Sequence, residues 1–304
     1  MDHLACVDMD AAGIHGFACD QKHITPATSL DVIAMITAAG GYSMPIPDRD
    51  ALAFEFARIC SAAAPVVMEV YRSDFSARSK ADTSPVTEAD EAAEAIILEA
   101  LHRLLPGVPI LAEEAFAAGD RPDIGAEFLL VDPVDGTREF INKNGQFTIN
   151  IALISSLNPV AGCVYAPALE TLYLGGKSAF GGTVLPGDTD INLNPISARR
   201  SASAKRTAVM SRSHADDQTV AFAKTEGVTE TISAGSSLKF CMLAEGKADL
   251  YPRFGPTMEW DTAAGHAVLN AAGGRVENPD GTPFRYGKVD TGFLNGPFIA
   301  RGRD

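Results

Sequence analysis

Phe128-Leu129-Leu130-Val131-Asp132-Pro133-Val134-Asp135-Gly136-Thr137-Arg138-Glu139-Phe140 is the stretch from which the rest of the chain can be read. It begins with an apolar run that reads as a buried strand. Asp132 and Asp135 then stand three residues apart, with a proline and a glycine marking a tight turn. Pro133 fixes its own φ and removes a donor, and Gly136 admits backbone conformations that other residues resist. The turn is therefore preset, and both Asp side chains can face one point. Hard cations such as Mg²⁺ take oxygen ligands, usually one or two carboxylates together with water and substrate phosphate. Past Gly136, the backbone N–H groups of Thr137 and Arg138 are available to an anion if a short helix begins there. One turn can thus hold both a divalent metal and a phosphate.

Upstream, Leu52, Phe56, Ile59, Ala63, Val66 and Val70 recur at helical spacing and predict a helix over residues 50–71, which Pro65 should kink or split. A Ser84-Pro85 loop follows, then a second helix from Ala89 to about Leu105, with Thr87 as a candidate cap. Ala93, Ile96, Ile97, Ala100, Leu101 and Leu104 fall on one face of it. Taken alone, Asp90 reads as a capping-box carboxylate. Residues 108–111 form a short strand candidate, and the Glu113-Glu114 pair after it reads, alone, as a solvated loop.

Downstream, residues 145–154 alternate as a strand with Phe147, Ile149, Ile151 and Leu153 on one face. Two further strands, at 159–165 and 171–174, complete an antiparallel run. Residues 179–195 are rich in Gly and Pro and are the candidate domain junction. The second half alternates strands at 207–210, 229–233, 248–251, 275–277 and 298–301 with helices. Gly235-Ser236-Ser237-Leu238-Lys239 opens one helix, and Glu259-Trp260-Asp261 precedes another that Gly273-Gly274 stops. Alone, Asp261 reads as an N-cap and Trp260 as core. The expected organisation is an extension at 1–47, loosely ordered, with one subdomain at 48–185 and another at 186–304. In the extension, His3, His15 and His23 have no regular spacing, and Met44 just before the first helix leaves a later start as an alternative reading.

The 304 residues are 46% hydrophobic, enough for a sizeable core, and carry a formal net charge of −14. A surface that acidic argues against nucleic acid or an anionic membrane as the main partner. It leaves room for a small anionic substrate, because bound cations reverse the local field. Cys6, Cys19, Cys60, Cys163 and Cys241 are odd in number and lack a C-x-x-C pair, which fits reduced thiols and neither a disulfide framework nor a zinc site. Cys163 and Cys241 lie in apolar runs and read as core fillers. No membrane span is expected: the longest N-terminal apolar run, residues 32–40, falls far short of the roughly 20 a span needs. The N-terminus lacks the basic region of a signal peptide.

Taken together, a strand-ending Glu, two turn Asp residues and a helix-start Asp, all at loop ends of an α/β pattern, form the oxygen-rich set that a two-metal phosphoryl site needs. D-P-V-D-G-T, the preceding A-E-E and W-D-T-A-A-G closely resemble the signature segments of the inositol monophosphatase superfamily of Mg²⁺-dependent, lithium-sensitive phosphatases. The resemblance runs from about Asp50 to the C-terminus. It leaves residues 1–47 without a counterpart, and Pro65 stands where the family tends to carry Gly. K-A-D-T-S-P-V-T-E-A-D, D-G-T-R-E-F-I-N-K-N-G-Q-F-T-I-N-I-A-L-I, G-C-V-Y-A-P, S-R-S-H-A-D, G-S-S-L-K-F-C and A-D-L-Y-P-R-F-G-P-T are similar to the 3′(2′),5′-bisphosphate nucleotidase (CysQ) branch.

The resemblance implies an α/β (α+β) fold, a layered αβαβα sandwich. It implies hydrolysis of the 3′-phosphate of adenosine 3′,5′-bisphosphate with two or three Mg²⁺ ions, in the context of sulfate assimilation. Glu113, Asp132, the Val134 carbonyl, Asp135 and Asp261 would be metal ligands. Asp90 and Thr137 would position the attacking water, and Glu113 would orient or deprotonate it. Glu113, Val134, Asp135 and Asp261 would also meet the substrate phosphate, which Gly136 and Thr137 would hold through backbone N–H groups. Ser236, Ser237, Lys239 and Arg253 would take the second phosphate or ribose; without the resemblance, Lys239 and Arg253 read as solvated surface charge. A small nucleotide is the implied partner, and monomer and homodimer both stay open. The implied location is cytoplasmic, with the cytoplasmic face of the inner membrane as an alternative. Two alternatives remain: an inositol monophosphatase or broad sugar-phosphate phosphatase of the same fold, and a non-catalytic nucleotide- or metal-sensing protein.

Overall fold

The computed structural model describes residues 48–74, 78–79, 85–86, 88–200, 205–211 and 216–303. The expectations for residues 1–47, Thr87 and residues 212–214 lie outside them.

Helix α1 (Arg49–Arg72) opens the fold and buries Leu52, Phe56, Ile59, Ala63 and Val67 among others. The split that Pro65 could cause does not occur, and the helix runs through it. Proline removes the N–H that would bond the carbonyl four residues back. That carbonyl, on Ser61, instead accepts the Gly187 N–H at 2.9 Å. The Ser61 hydroxyl donates to the Asp188 carbonyl at 2.8 Å, so a distant turn supplies what the helix lacks. Contrary to the expectation of no span, α1 is long and apolar enough to cross a bilayer, but 67% of its apolar window is buried in the protein. Core packing accounts for that apolar surface.

Short strands β1 (Arg78–Ser79) and β2 (Pro85–Val86) pair antiparallel before helix α2 (Glu88–Leu104). The first large sheet comprises β3 (Ile110–Ala112), β4 (Glu127–Asp135), β5 (Thr148–Ser155), β6 (Asn158–Ala166), β7 (Thr171–Gly175), β8 (Ala179–Thr183) and β9 (Asn194–Pro195), in that order. Only β3 and β4 run parallel within it. Part of the stretch expected to be a junction is therefore strand. Two short helices follow strand ends: α3 (Glu113–Ala117) after β3 and α4 (Thr137–Ile141) after β4.

The second sheet is built from β10 (Arg206–Ser211), β11 (Val228–Ala234), β12 (Leu250–Arg253), β14 (Arg275–Glu277) and β16 (Phe298–Arg301), ordered β11-β10-β12-β16-β14. β13 (Thr257–Met258) and β15 (Leu294–Asn295) pair beside it. Its helices are α5 (Asp217–Thr225), α6 (Leu238–Ala244) and α7 (Trp260–Ala271).

Three cores define the layers. Leu129, Val131, Ile149, Ile151 and Leu153 of the first sheet face α1 and α2. Phe128, Leu130, Ala152 and Ile154 face the other way, onto α6, α7 and the inner face of the second sheet, where Val209, Tyr251 and Phe298 meet them. Ala208, Met210, Leu250 and Ile299 point outward onto α5. Period-two alternation on each strand thus feeds a different core from each face. The order is helices, sheet, helices, sheet, helix: the αβαβα sandwich. Cys60, Cys163 and Cys241 are buried free thiols, as the apolar runs imply for the last two.

Candidate active site

The turn after β4 owes its geometry to a slip in register. Asp132 stands opposite Asn150 and Asp135 opposite Thr148, so three steps on β4 match two on β5. Residues an odd number apart on a regular strand face opposite sides. The bulge cancels that alternation, and both carboxylates reach one cavity. Pro133 falls inside the bulge, a place where a missing N–H breaks no regular ladder. The Val134 N–H donates to Asp132 Oδ1 at 3.1 Å. Gly136 takes φ 88°, and its left-handed backbone turns the chain into α4, which begins at Thr137.

The cavity measures about 300 Å³ and lies between the two halves of the chain. One wall carries Glu113 from the start of α3, Asp132, Val134 and Asp135 from β4, then Gly136 and Thr137. The other carries Ser236, Lys239, Arg253 and Asp261. Asp261 sits in the first turn of α7, and its Oδ2 accepts the Met258 N–H at 2.7 Å. It does not cap α7 itself, since the N-cap position is Glu259. Thr137 Oγ1 donates to the Val134 carbonyl at 3.5 Å.

Burial raises the Asp261 carboxyl well above the ordinary range, and the charges of Asp135 and Glu113 push it further. Burial also raises Asp135, against the pull of Lys239 and hydrogen bonds from Ser236 and Ser237. Lys239 is lowered to about 8 by burial, with Asp135 opposing that shift. A buried carboxylate whose charge neighbouring carboxylates oppose, as at Asp261, belongs to the kind of donor set a hard divalent cation favours. Among the described residues, no three His, Cys, Asp or Glu side chains converge tightly enough to enclose an ion by themselves. Mg²⁺ ordinarily takes one or two carboxylates and completes its shell with water and substrate oxygen, so the set fits.

Two of the expected residues do not line the cavity. Asp90 is 1% exposed in the first turn of α2. Ser237 is equally buried, and its hydroxyl donates to the Asp261 carbonyl at 2.9 Å and accepts Asn150 Nδ2 at 3.1 Å. The preceding residue explains the divergence. Ser236 adopts φ 54°, so the adjacent side chains part, and Ser236 Oγ instead meets Thr148 Oγ1 at 2.5 Å on the cavity side.

Tyr251, Phe240, Thr257 and Thr262 also line the cavity and were not singled out from the sequence. Tyr251 had a readable signal: it lies two residues before Arg253 on β12 and so shares its face. The Lys239 ammonium lies 5.4 Å from the Tyr251 ring centroid.

The inositol monophosphatase family model matches residues 48–297. The 3′(2′),5′-bisphosphate nucleotidase CysQ of Escherichia coli K12 is 46% identical over 220 residues, 72% of this chain and 86% of that protein. Among solved structures, CysQ from Bacteroides thetaiotaomicron superposes with a TM-score of 0.70 at 36% identity, covering 83% of this chain and 97% of that one. An inositol monophosphatase from Anabaena gives a TM-score of 0.64 at 25% identity, covering 84% and 91%. With its signature turn, its layered fold and its acidic cavity in place, the chain belongs to the inositol monophosphatase family.

Proposed function

We propose that this chain is a Mg²⁺-dependent phosphatase that hydrolyses the 3′-phosphate of adenosine 3′,5′-bisphosphate, giving AMP and phosphate. The observation that carries the reading is the two-sided cavity. Carboxylates from α3 and β4 line one wall of a space of about 300 Å³, and Lys239 and Arg253 line the other beside Asp261 of α7. A nucleotide with two phosphates asks for both sides, one for the group that leaves and one for the group that stays. The identity to CysQ proteins supports the same substrate.

Glu113, Asp132, Asp135, Asp261 and the Val134 carbonyl are the residues that would hold the ions. Two or three Mg²⁺ ions bound there would supply an acidified water and neutralise charge on the departing 3′-oxygen. Thr137, at the cavity wall, and Asp90, buried in the first turn of α2, are assigned to positioning the water, with Glu113 to orient it or take its proton. The Gly136 and Thr137 N–H groups would hold the transferred phosphate. Ser236, Lys239 and Arg253 would hold the other phosphate and ribose, and Ser237 would serve them through the framework. In this reading residues 48–185 carry most of the metal ligands, and 186–304 carry Asp261 and nucleotide selection. The enzyme is placed in the cytoplasm, as a monomer or homodimer.

Purified protein should release phosphate from the bisphosphate with Mg²⁺, lose the activity in EDTA and be inhibited by Li⁺. Release that persists in EDTA would overturn the metal-dependent reading.

A further inference from the structure

Helix α3 begins with Glu113, and its N-cap residue, Ala112, offers no side chain to cap it. The first N–H groups of a helix have no partner within it, and an N-cap Ser, Thr, Asp or Asn ordinarily supplies one. Here the acceptor comes from another helix. Glu94 Oε2 accepts the Glu114 N–H at 2.8 Å, and Glu94 Oε1 accepts the Ala115 N–H at 2.8 Å. Glu94 is 5% exposed and sits in α2, four residues after Asp90, so both project from neighbouring positions on one helix face. Its carboxylate thereby grips both N–H groups immediately after Glu113.

We propose that Glu94 is a positioning residue that fixes the Glu113 carboxylate for divalent-cation binding by capping α3 from α2. Glu94 does not line the cavity, and it touches neither substrate nor ion in this scheme. It acts by setting the bend between β3 and α3, the point where the chain must change direction to aim Glu113. The inference rests on the reading of Glu113 as a metal ligand.

The test is Mn²⁺ binding to substrate-free protein, followed by the EPR signal of free Mn²⁺, for wild type, Glu94→Gln and Glu113→Gln. The amide of Glu94→Gln offers one acceptor and turns an NH₂ toward a backbone N–H. Outer-sphere partners typically change metal affinity by about ten- to a hundredfold. Glu94→Gln should therefore weaken Mn²⁺ about tenfold and raise the half-saturating Mg²⁺ for turnover in parallel, with nucleotide KM at saturating Mg²⁺ unchanged. Adding Ala112→Ser supplies a cap in cis at a backbone already extended, φ −114° and ψ 145°, and should recover part of the lost affinity. A folded Glu94→Gln with wild-type Mn²⁺ affinity and only a lower Tm would overturn the proposal. If Glu113→Gln also leaves Mn²⁺ binding intact, the reading of Glu113 fails as well. If it weakens binding and Glu94→Gln does not, the role of Glu94 alone fails. Should Glu94→Gln not fold, Glu94→Asp, one methylene shorter, is held to the same outcomes.

Discussion

The Ser237 backbone N–H donates to Asp135 Oδ2 at 2.7 Å, a hydrogen bond between residues 102 apart in the chain. The Ser237 hydroxyl meanwhile donates to the Asp261 carbonyl at 2.9 Å. One buried serine thus ties a carboxylate of the first half to the α7 turn that carries another. Asn150 Nδ2 reinforces the tie, reaching Ser237 Oγ at 3.1 Å and Asp135 Oδ2 at 3.4 Å.

Because that hydroxyl serves the framework, Ser237→Ala should cost roughly 1–3 kcal/mol of stability and lower kcat with little change in KM. Lys239→Met removes a cation that lines the cavity and should raise the nucleotide KM about tenfold or more. Steady-state kinetics and urea melts of the two variants separate these effects. Equal KM increases in both would contradict the placement of Ser237.

Asp261 is a partly buried carboxylate whose charge is opposed by burial and by Asp135 and Glu113. Asp261→Asn removes the charge and keeps an oxygen for the Met258 N–H. Without metal, the variant should be more stable than wild type by about 1 kcal/mol. Its turnover should be nearly abolished, and the rise in Tm that Mg²⁺ gives the wild type should shrink. Thermal melts with and without Mg²⁺ check this; a destabilised variant that keeps the full Mg²⁺ shift would contradict it.

His266 lies in α7, 4% exposed, with Nδ1 3.0 Å from the Tyr286 hydroxyl. Burial lowers its pKa to about 3 from 6.5, with the charges of Lys288 and Arg285 adding to the shift. Between those values the unfolded chain binds a proton that the folded protein refuses, so stability falls as pH drops below 6.5. The loss from this group should be about 2 kcal/mol at pH 5. His266→Phe should flatten that part of the slope in urea midpoints measured from pH 7 to 5. An unchanged slope would show that His266 does not cause it.

Gly265 closes the W-D-T-A-A-G segment for a packing reason. A Cβ there would come within 2.5 Å of Phe240 Cδ2. Phe240 is 1% exposed and stacked on Phe298 with centroids 5.6 Å apart, so its ring has little room to move. Gly265→Ala should cost about 1–3 kcal/mol by overpacking, and a neutral melt would contradict the close approach.

The elements most legible in the sequence were those with a single strong period. Residues Phe147, Ile149, Ile151 and Leu153 fall together in the core under α1, as their alternation requires. Strands Arg275–Glu277 and Phe298–Arg301 lie where they are expected, the second on its apolar run. The acidic turn was legible because Pro133 restricts the backbone and Gly136 permits the left-handed conformation the turn needs. What could not be read depends on distant partners. Nothing near Pro65 announces that Gly187 will bond the Ser61 carbonyl and let α1 run on. Nothing in Glu113-Glu114 says that Glu94 will cap a short helix there, so the pair looks like loop. Ser237 reads as a ligand-facing polar group until the left-handed turn at Ser236 sends its hydroxyl inward. Strands β8 and β9 hide in a Gly- and Pro-rich stretch: Gly181 and Gly182 fall inside β8, and Pro195 is tolerated because β9 is the edge of the sheet.

The most direct measurement is kcat/KM for adenosine 3′,5′-bisphosphate against inositol 1-phosphate, at saturating Mg²⁺, on the same preparation. A cavity with Lys239 and Arg253 opposite its carboxylates should favour the nucleotide by about tenfold or more, because inositol 1-phosphate brings no second phosphate to pair with them. Equal values, or a preference for inositol 1-phosphate, would contradict the assignment.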